Sequence, residues 1–300
     1  MSGPGRRRPV AFAAALALAL AGCLTDAPVP TPGPSPSVEP EPTPVVTTYR
    51  LGTTAWYGGL VLTFGTATAT LDAKGGPVEV KVRFDNPGQA DARLGGPIRL
   101  VAGDAVAEPT RETVLPLVPA EGSADALVTF EVDGTFDVVV AAIRVGRDSE
   151  HQAIVPLVAG PEAPPVTLEP LMLDVTGTGT AGAIVAELVG VELRADLPDW
   201  GQELPREVMA LTVTYHATFR SDFVGGAAFT TDNVRLVLPD GTRIAPRRDG
   251  HSHRIALLRP NRRNIIATRF EVPAPGDGRY ELAVSDGSAT VGLAFVIELP

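Results

Sequence analysis

From residue 47 onward, apolar and polar positions alternate in short runs. Val78–Phe84 reads VEVKVRF, with Val78, Val80, Val82 and Phe84 set against Glu79, Lys81 and Arg83. A period of two places each set on its own face of a strand. Leu60–Leu71, Ala126–Val132 and Phe136–Val145 follow the same grammar, and Gly, Pro, Asn and Asp punctuate them at short intervals. The pattern predicts an all-β chain of short strands and tight turns, a sandwich or a barrel. No stretch repeats at helical spacing between caps. VAELVGVEL at 185–193 is the nearest, and it reads better as a strand. Asp240-Gly241, after Leu238-Pro239, is a hairpin turn signal.

The pattern also repeats. Residues 159–170 hold four prolines, so a short Pro-rich linker is expected at 161–170, between β domains at 47–160 and 171–300. Gly58–Leu62 corresponds to Ala181–Val185, and Val78–Phe84 to Met209–Tyr215. Ile98–Val101 corresponds to Val234–Val237, and Phe130-Glu131-Val132 to Phe270-Glu271-Val272. Element order and spacing agree although identity is low, so two tandem copies are expected.

The first copy carries VxVxFxNxG, here Val80, Val82, Phe84, Asn86 and Gly88, preceded by glycines before a long strand and followed by F-E-V. In this it resembles the immunoglobulin-like domain of unknown function found in Gram-positive lipoproteins, related in fold to a secreted immunoprotective antigen. The resemblance covers about 47–158 and 171–299. It implies two tandem immunoglobulin-like β-sandwiches and export, and supplies no activity and no catalytic residues. The second copy has His216-Ala217-Thr218 in place of Asn-Pro-Gly, and the first lacks the Asp-Gly hairpin.

The N-terminus reads as an address. Arg6, Arg7 and Arg8 precede an apolar run from Val10 to Ala21, which is too short to span a bilayer and suits a signal peptide at 1–22. Leu20-Ala21-Gly22-Cys23 matches the bacterial lipobox, and Cys23 is the chain's one cysteine. Cys23 is therefore the expected lipidation site. A plain secretory signal and twin-arginine export are the alternatives. Residues 23–46 are expected to be the acylated Cys and a Pro-rich disordered stalk. At about 3.1 Å per residue in polyproline II the stalk reaches roughly 70 Å. A two-chain lipid suffices for stable anchoring, so the expected place is the extracytoplasmic face of the cell membrane.

Composition adds exclusions. Apolar residues make up 44% and charged residues 20%, enough to build cores. A formal charge of −10 disfavours a nucleic-acid partner. A single cysteine rules out a disulfide framework and a multi-thiolate metal site. Charge is uneven, because 243–269 holds Arg243, Arg247, Arg248, Arg254, Arg259, Arg262, Arg263 and Arg269 against one acid, Asp249. Guanidinium forks take phosphate or carboxylate. The stretch is thus a candidate patch for an anionic envelope polymer, a lipid headgroup, an acidic protein, or the acidic first domain itself. Solvated loop arginines are the bland reading.

Other candidates are weaker. Gly177–Gly182 matches GxGxxG, but a strand follows where a dinucleotide site needs a helix. His251 and His253 stand at i, i+2 and form a weak metal pair lacking further ligands. His151 and His216 are isolated. Trp56 and Trp200 are candidate interface aromatics, or lids on the sandwich ends. No G-x-S-x-G, HExxH, S-x-x-K or EF-hand loop is present, so no catalytic residue and no cofactor is assigned. The expected function is non-catalytic binding or scaffolding of a protein or anionic envelope partner. A small-ligand or metal-binding carrier is the alternative, and an envelope hydrolase assembled from distant residues is a more remote one.

Overall fold

The computed structural model describes residues 43–248, 256–273 and 275–299. The first half runs β1 (Val45–Tyr57), β2 (Leu60–Leu71), β3 (Gly75–Asp85), β4 (Ile98–Ala102), β5 (Ala105–Ala107), β6 (Ser123–Asp133), β7 (Ala142–Val145) and β8 (Ala153–Pro156). The second begins with β9 (Leu171–Asp174), β10 (Thr178–Ala181), β11 (Ile184–Arg194) and β12 (Asp196–Leu197). After a 3-10 turn at Pro198–Trp200 come β13 (Gln202–Glu203), β14 (Val208–Phe219), β15 (Ala227–Phe229), β16 (Val234–Val237) and β17 (Arg243–Ile244). It ends with β18 (Ala256–Leu258), β19 (Arg263–Pro273), β20 (Gly278–Ser285) and β21 (Thr290–Ile297).

The pairing is antiparallel throughout the named strands, and the two halves share one strand order. In the first, β1-β2-β3-β6 faces β5-β4-β7-β8; in the second, β10-β11-β14-β19 faces β17-β16-β20-β21, with β9 also on β11. The architecture is an all-β sandwich. The alternation read in VEVKVRF is realised in β3, where Val78, Val80, Val82 and Phe84 are buried and Glu79, Lys81 and Arg83 exposed. They meet Ile98, Leu100, Ile143 and Val145 from the opposite sheet in the first core. Val213, Tyr215 and Phe270 meet Leu236, Tyr280 and Leu282 in the second. VAELVGVEL lies in β11, and Asp240-Gly241 turns β16 into β17, with the Gly241 N–H donating to Leu238 O at 2.9 Å. The glycines of GxGxxG lie on and around β10, with β11 following.

The 161–170 stretch is held against the first half. Val166 pairs with Ile154, and the Trp56 N–H donates to Thr167 O at 2.8 Å. Leu168 packs against the first core. Further contacts make Pro42–Pro300 a single compact unit. Register fixes which ends meet. Tyr57 opposite Leu60 is the junction end of the first half, and Val45 opposite Leu71 is its far end. Arg194 opposite Ala210 is the junction end of the second, and Ile184 opposite Phe219 its far end.

Candidate functional site

The two halves meet around two buried carboxylates. The β1–β2 hairpin turns at Gly58-Gly59, leaving two backbone N–H groups pointing out of the first half. Gly58 N–H donates to Glu203 Oε2 at 2.9 Å, and Gly59 N–H to Asp196 Oδ2 at 2.6 Å. Gly59 has φ +82, and a Cβ there would come within 2.8 Å of Pro198 Cα. Only glycine lets the hairpin seat this closely. Arg194 completes the arrangement with Nε to Asp196 Oδ1 at 2.7 Å and NH1 to Glu192 at 2.9 Å. Burial opposes its charge, but the two carboxylates outweigh burial and hold the guanidinium protonated.

Glu203 is 4% exposed. Burial pushes its carboxyl up to about 9, against the Gly58 N–H and with help from the negative Asp196 and Glu150. It therefore holds a proton at neutral pH, and its Oε1 has no hydrogen-bond partner among the described residues. Beside it, the Tyr57 hydroxyl donates to Glu150 Oε2 at 2.6 Å, and Arg147 donates to Glu150 Oε1 at 2.8 Å. Burial first, and then Glu150, raise the Tyr57 phenol far above its ordinary range. Backbone contacts extend the joint: His151 N–H to Leu204 O at 3.1 Å and Arg206 N–H to Ser149 O at 3.2 Å. The His151 ring bonds Val208 O at 2.9 Å.

This joint leaves a groove of about 810 Å³ beside it. One wall is the loop after β3, with Gly88, Gln89, Asp91 and Arg93. The other carries Arg194, Asp199 and Trp200. Asn86 makes the first wall. It is buried, and its Nδ2 donates to Ala90 O at 2.8 Å, Pro119 O at 3.1 Å and Val118 O at 3.2 Å, while its Oδ1 accepts from Gly88 N–H at 2.9 Å. The N-x-G of the first-copy motif is thus a staple that shapes a loop. The second wall is braced from β19, where Arg269 donates to Asp199 Oδ2 at 3.0 Å. Trp200, 49% exposed, closes the 3-10 turn that lines the groove.

The arginine stretch is not one cationic patch. Among its described members, Arg247 pairs with Glu271, Arg248 with Asp232 at 2.7 Å, Arg263 with Glu187, and Arg269 with Asp199 at 3.0 Å. Arg243, Arg259 and Arg262 are exposed and form no ion pair among the described residues. Nor do its described arginines receive the first half: among the described residues the joint is made by residues 194–208 instead. Arg254, His251, His253 and Cys23 lie outside the described residues. Trp56 is half-buried, on β1 opposite Val61, while Trp200 is the aromatic that reaches the groove. Among the described residues no cluster of three His, Cys, Asp or Glu is placed to hold a metal, and no helix is long and apolar enough to cross a membrane.

Sequence reasoning missed Glu203, Glu150, Tyr57, Arg194 and Arg93. The available signal was the acid-rich run ELRADLPDWGQELP at 192–205, four carboxylates around an arginine and a tryptophan.

No family model matches the chain, and no curated protein matches it. Among solved structures it is similar to the conserved domain protein from Bacillus anthracis. Identity is 11%, with a TM-score of 0.26, over 84% of this chain and 92% of that one.

Proposed function

We propose that the chain is a lipid-anchored, extracytoplasmic binding module without catalytic chemistry, and that its partner site is the groove at the junction. The Arg-rich leader, the apolar run and Leu20-Ala21-Gly22-Cys23 support the anchor. The observation that carries the binding reading is Trp200, half-exposed on a wall that Arg269 and Gly201 hold in place. A rigid, partly exposed aromatic beside guanidinium and carboxylate groups is how binding anchors are made. The groove's volume also favours a second reading, a small polar ligand in place of a macromolecule.

The test places a photo-crosslinking side chain at Gln89, on the groove wall, in the native membrane. A captured partner that Trp200→Ala loses supports the groove, and Cys23→Ser is expected to release the protein from the membrane fraction. Capture that is indifferent to Trp200→Ala, or no capture at all, overturns the macromolecular groove site. In the second case, a Tm rise with a small polar compound, lost in Trp200→Ala, supports the carrier reading.

A further inference from the structure

The far end of the second half presents apolar side chains to solvent. After Phe219 the chain turns back through loop 220–226, where Phe223 and Val224 are 66% and 82% exposed. Gly226 N–H donates to Phe223 O at 3.0 Å, closing the loop. The Phe223 ring lies over Gly225, where a Cβ would come within 2.6 Å of it. β15 then pairs with β18, which brings exposed Leu257 alongside Ala228. The turn after β18 returns to the same edge, with Asn261 N–H donating to Phe219 O at 2.8 Å. Arg220, Arg259 and Arg262 are exposed around this tip, and Asp222 is the one acid in its two loops. On a chain of net charge −10, these two loops carry local positive charge beside solvent-facing Phe, Val and Leu; the neighbouring acid is Asp286, which accepts from the Ala183 N–H at 3.0 Å next to Arg220.

We propose that this tip is a membrane contact that docks on a surface of anionic phospholipid. Phe223 and Val224 enter the headgroup–acyl boundary, while Arg220, Arg259 and Arg262 take the phosphates. An acidic protein or a phosphate polymer would match the arginines but leave Phe223 and Val224 without a role. The register sets the tip at the end of β14 away from the junction, and the stalk joins β1 at the end away from its own. β1 and β14 have 13 and 12 residues, about 40 Å each. That the anionic surface is the leaflet expected to hold Cys23 rests on the anchor reading; docking itself does not.

The test uses residues 42–300, the compact unit that holds both cores, with vesicles of phosphatidylglycerol and phosphatidylcholine against pure phosphatidylcholine. Co-sedimentation with the anionic vesicles is expected. The triple variant Arg220→Ser, Arg259→Ser, Arg262→Ser should bind about a hundredfold more weakly, at roughly 1 kcal/mol per basic residue. Phe223→Ser with Val224→Ser should weaken binding at least about tenfold while leaving the salt dependence. Unchanged circular dichroism and Tm establish that each variant is folded. Phe223→Trp should be quenched by lipids brominated along the acyl chain. Three results overturn the proposal: no binding to anionic vesicles, variants that bind like wild type, or inorganic phosphate bound while vesicles are not. Self-association lost in the Phe223/Val224 variant without vesicle binding also overturns it and assigns the tip to a second copy.

Discussion

Glu203 is the residue on which the joint turns, and its chemistry has a sign. Its folded-state pKa lies above its unfolded value, so the folded chain keeps a proton that the unfolded chain releases. The cost is absent below the ordinary carboxylate range and accumulates as pH rises from about 4.5 toward about 9. Wild type is therefore expected to lose stability over that window by up to a few kcal/mol. Glu203→Gln keeps an acceptor for the Gly58 N–H and removes the ionisation. Its advantage over wild type should widen from pH 5 to pH 9 in denaturant titrations, and parallel curves would sink the assignment. Asn86 makes a second claim at this scale. Asn86→Ala leaves the Gly88 N–H and Ala90 O without their partner, while Val118 O and Pro119 O keep the Ala92 and Gly122 N–H groups, a loss of about 1–3 kcal/mol by the cost of unmet buried groups. The same change should loosen the groove wall, read as faster amide exchange at Gly88.

At the scale of elements, the β1–β2 hairpin acts through its backbone. Gly59→Ala adds a Cβ at φ +82 that meets Pro198, and the strained backbone alone costs about 1–2 kcal/mol. The expected result is a hairpin lifted from its seat, with the His151 and Arg206 amides losing hydrogen-exchange protection. Protection unchanged there would mean that the hairpin does not hold the joint. The elements also show what the sequence made legible. β3 was visible as VEVKVRF because a half-buried strand must alternate, and β16–β17 because Asp-Gly suits a tight hairpin. The joint was hidden because its hydrogen bonds link residues far apart in sequence, Gly58 with Glu203 and Gly59 with Asp196, and no local period records such a pairing. The arginine stretch misled for the same reason. A window of sequence counts Arg247, Arg248, Arg263 and Arg269, but not Glu271, Asp232, Glu187 and Asp199, which pair with them. The 161–170 stretch was legible as Pro-rich, but not that Val166 pairs with Ile154.

At the scale of the whole molecule, two cores with a shared strand order are joined by buried polar contacts. Such contacts are strong evidence of coupling, because breaking one leaves the other partner desolvated and unpaired. Gly58 and Gly59 N–H groups have no substitute for Glu203 and Asp196 once these are removed. Residues 42–300 should accordingly unfold in one calorimetric transition, the enthalpy from the peak area matching that from its sharpness. The pair Asp196→Ala with Glu203→Ala should separate the halves into two transitions, with the first-half core keeping its own Tm. If the double variant still melts as one, the coupling resides in the backbone pairing of His151 and Arg206, and the carboxylates only set the seat of the hairpin. If wild type already melts in two, the groove between the halves is not rigid, and Trp200 meets its partner across a moving joint.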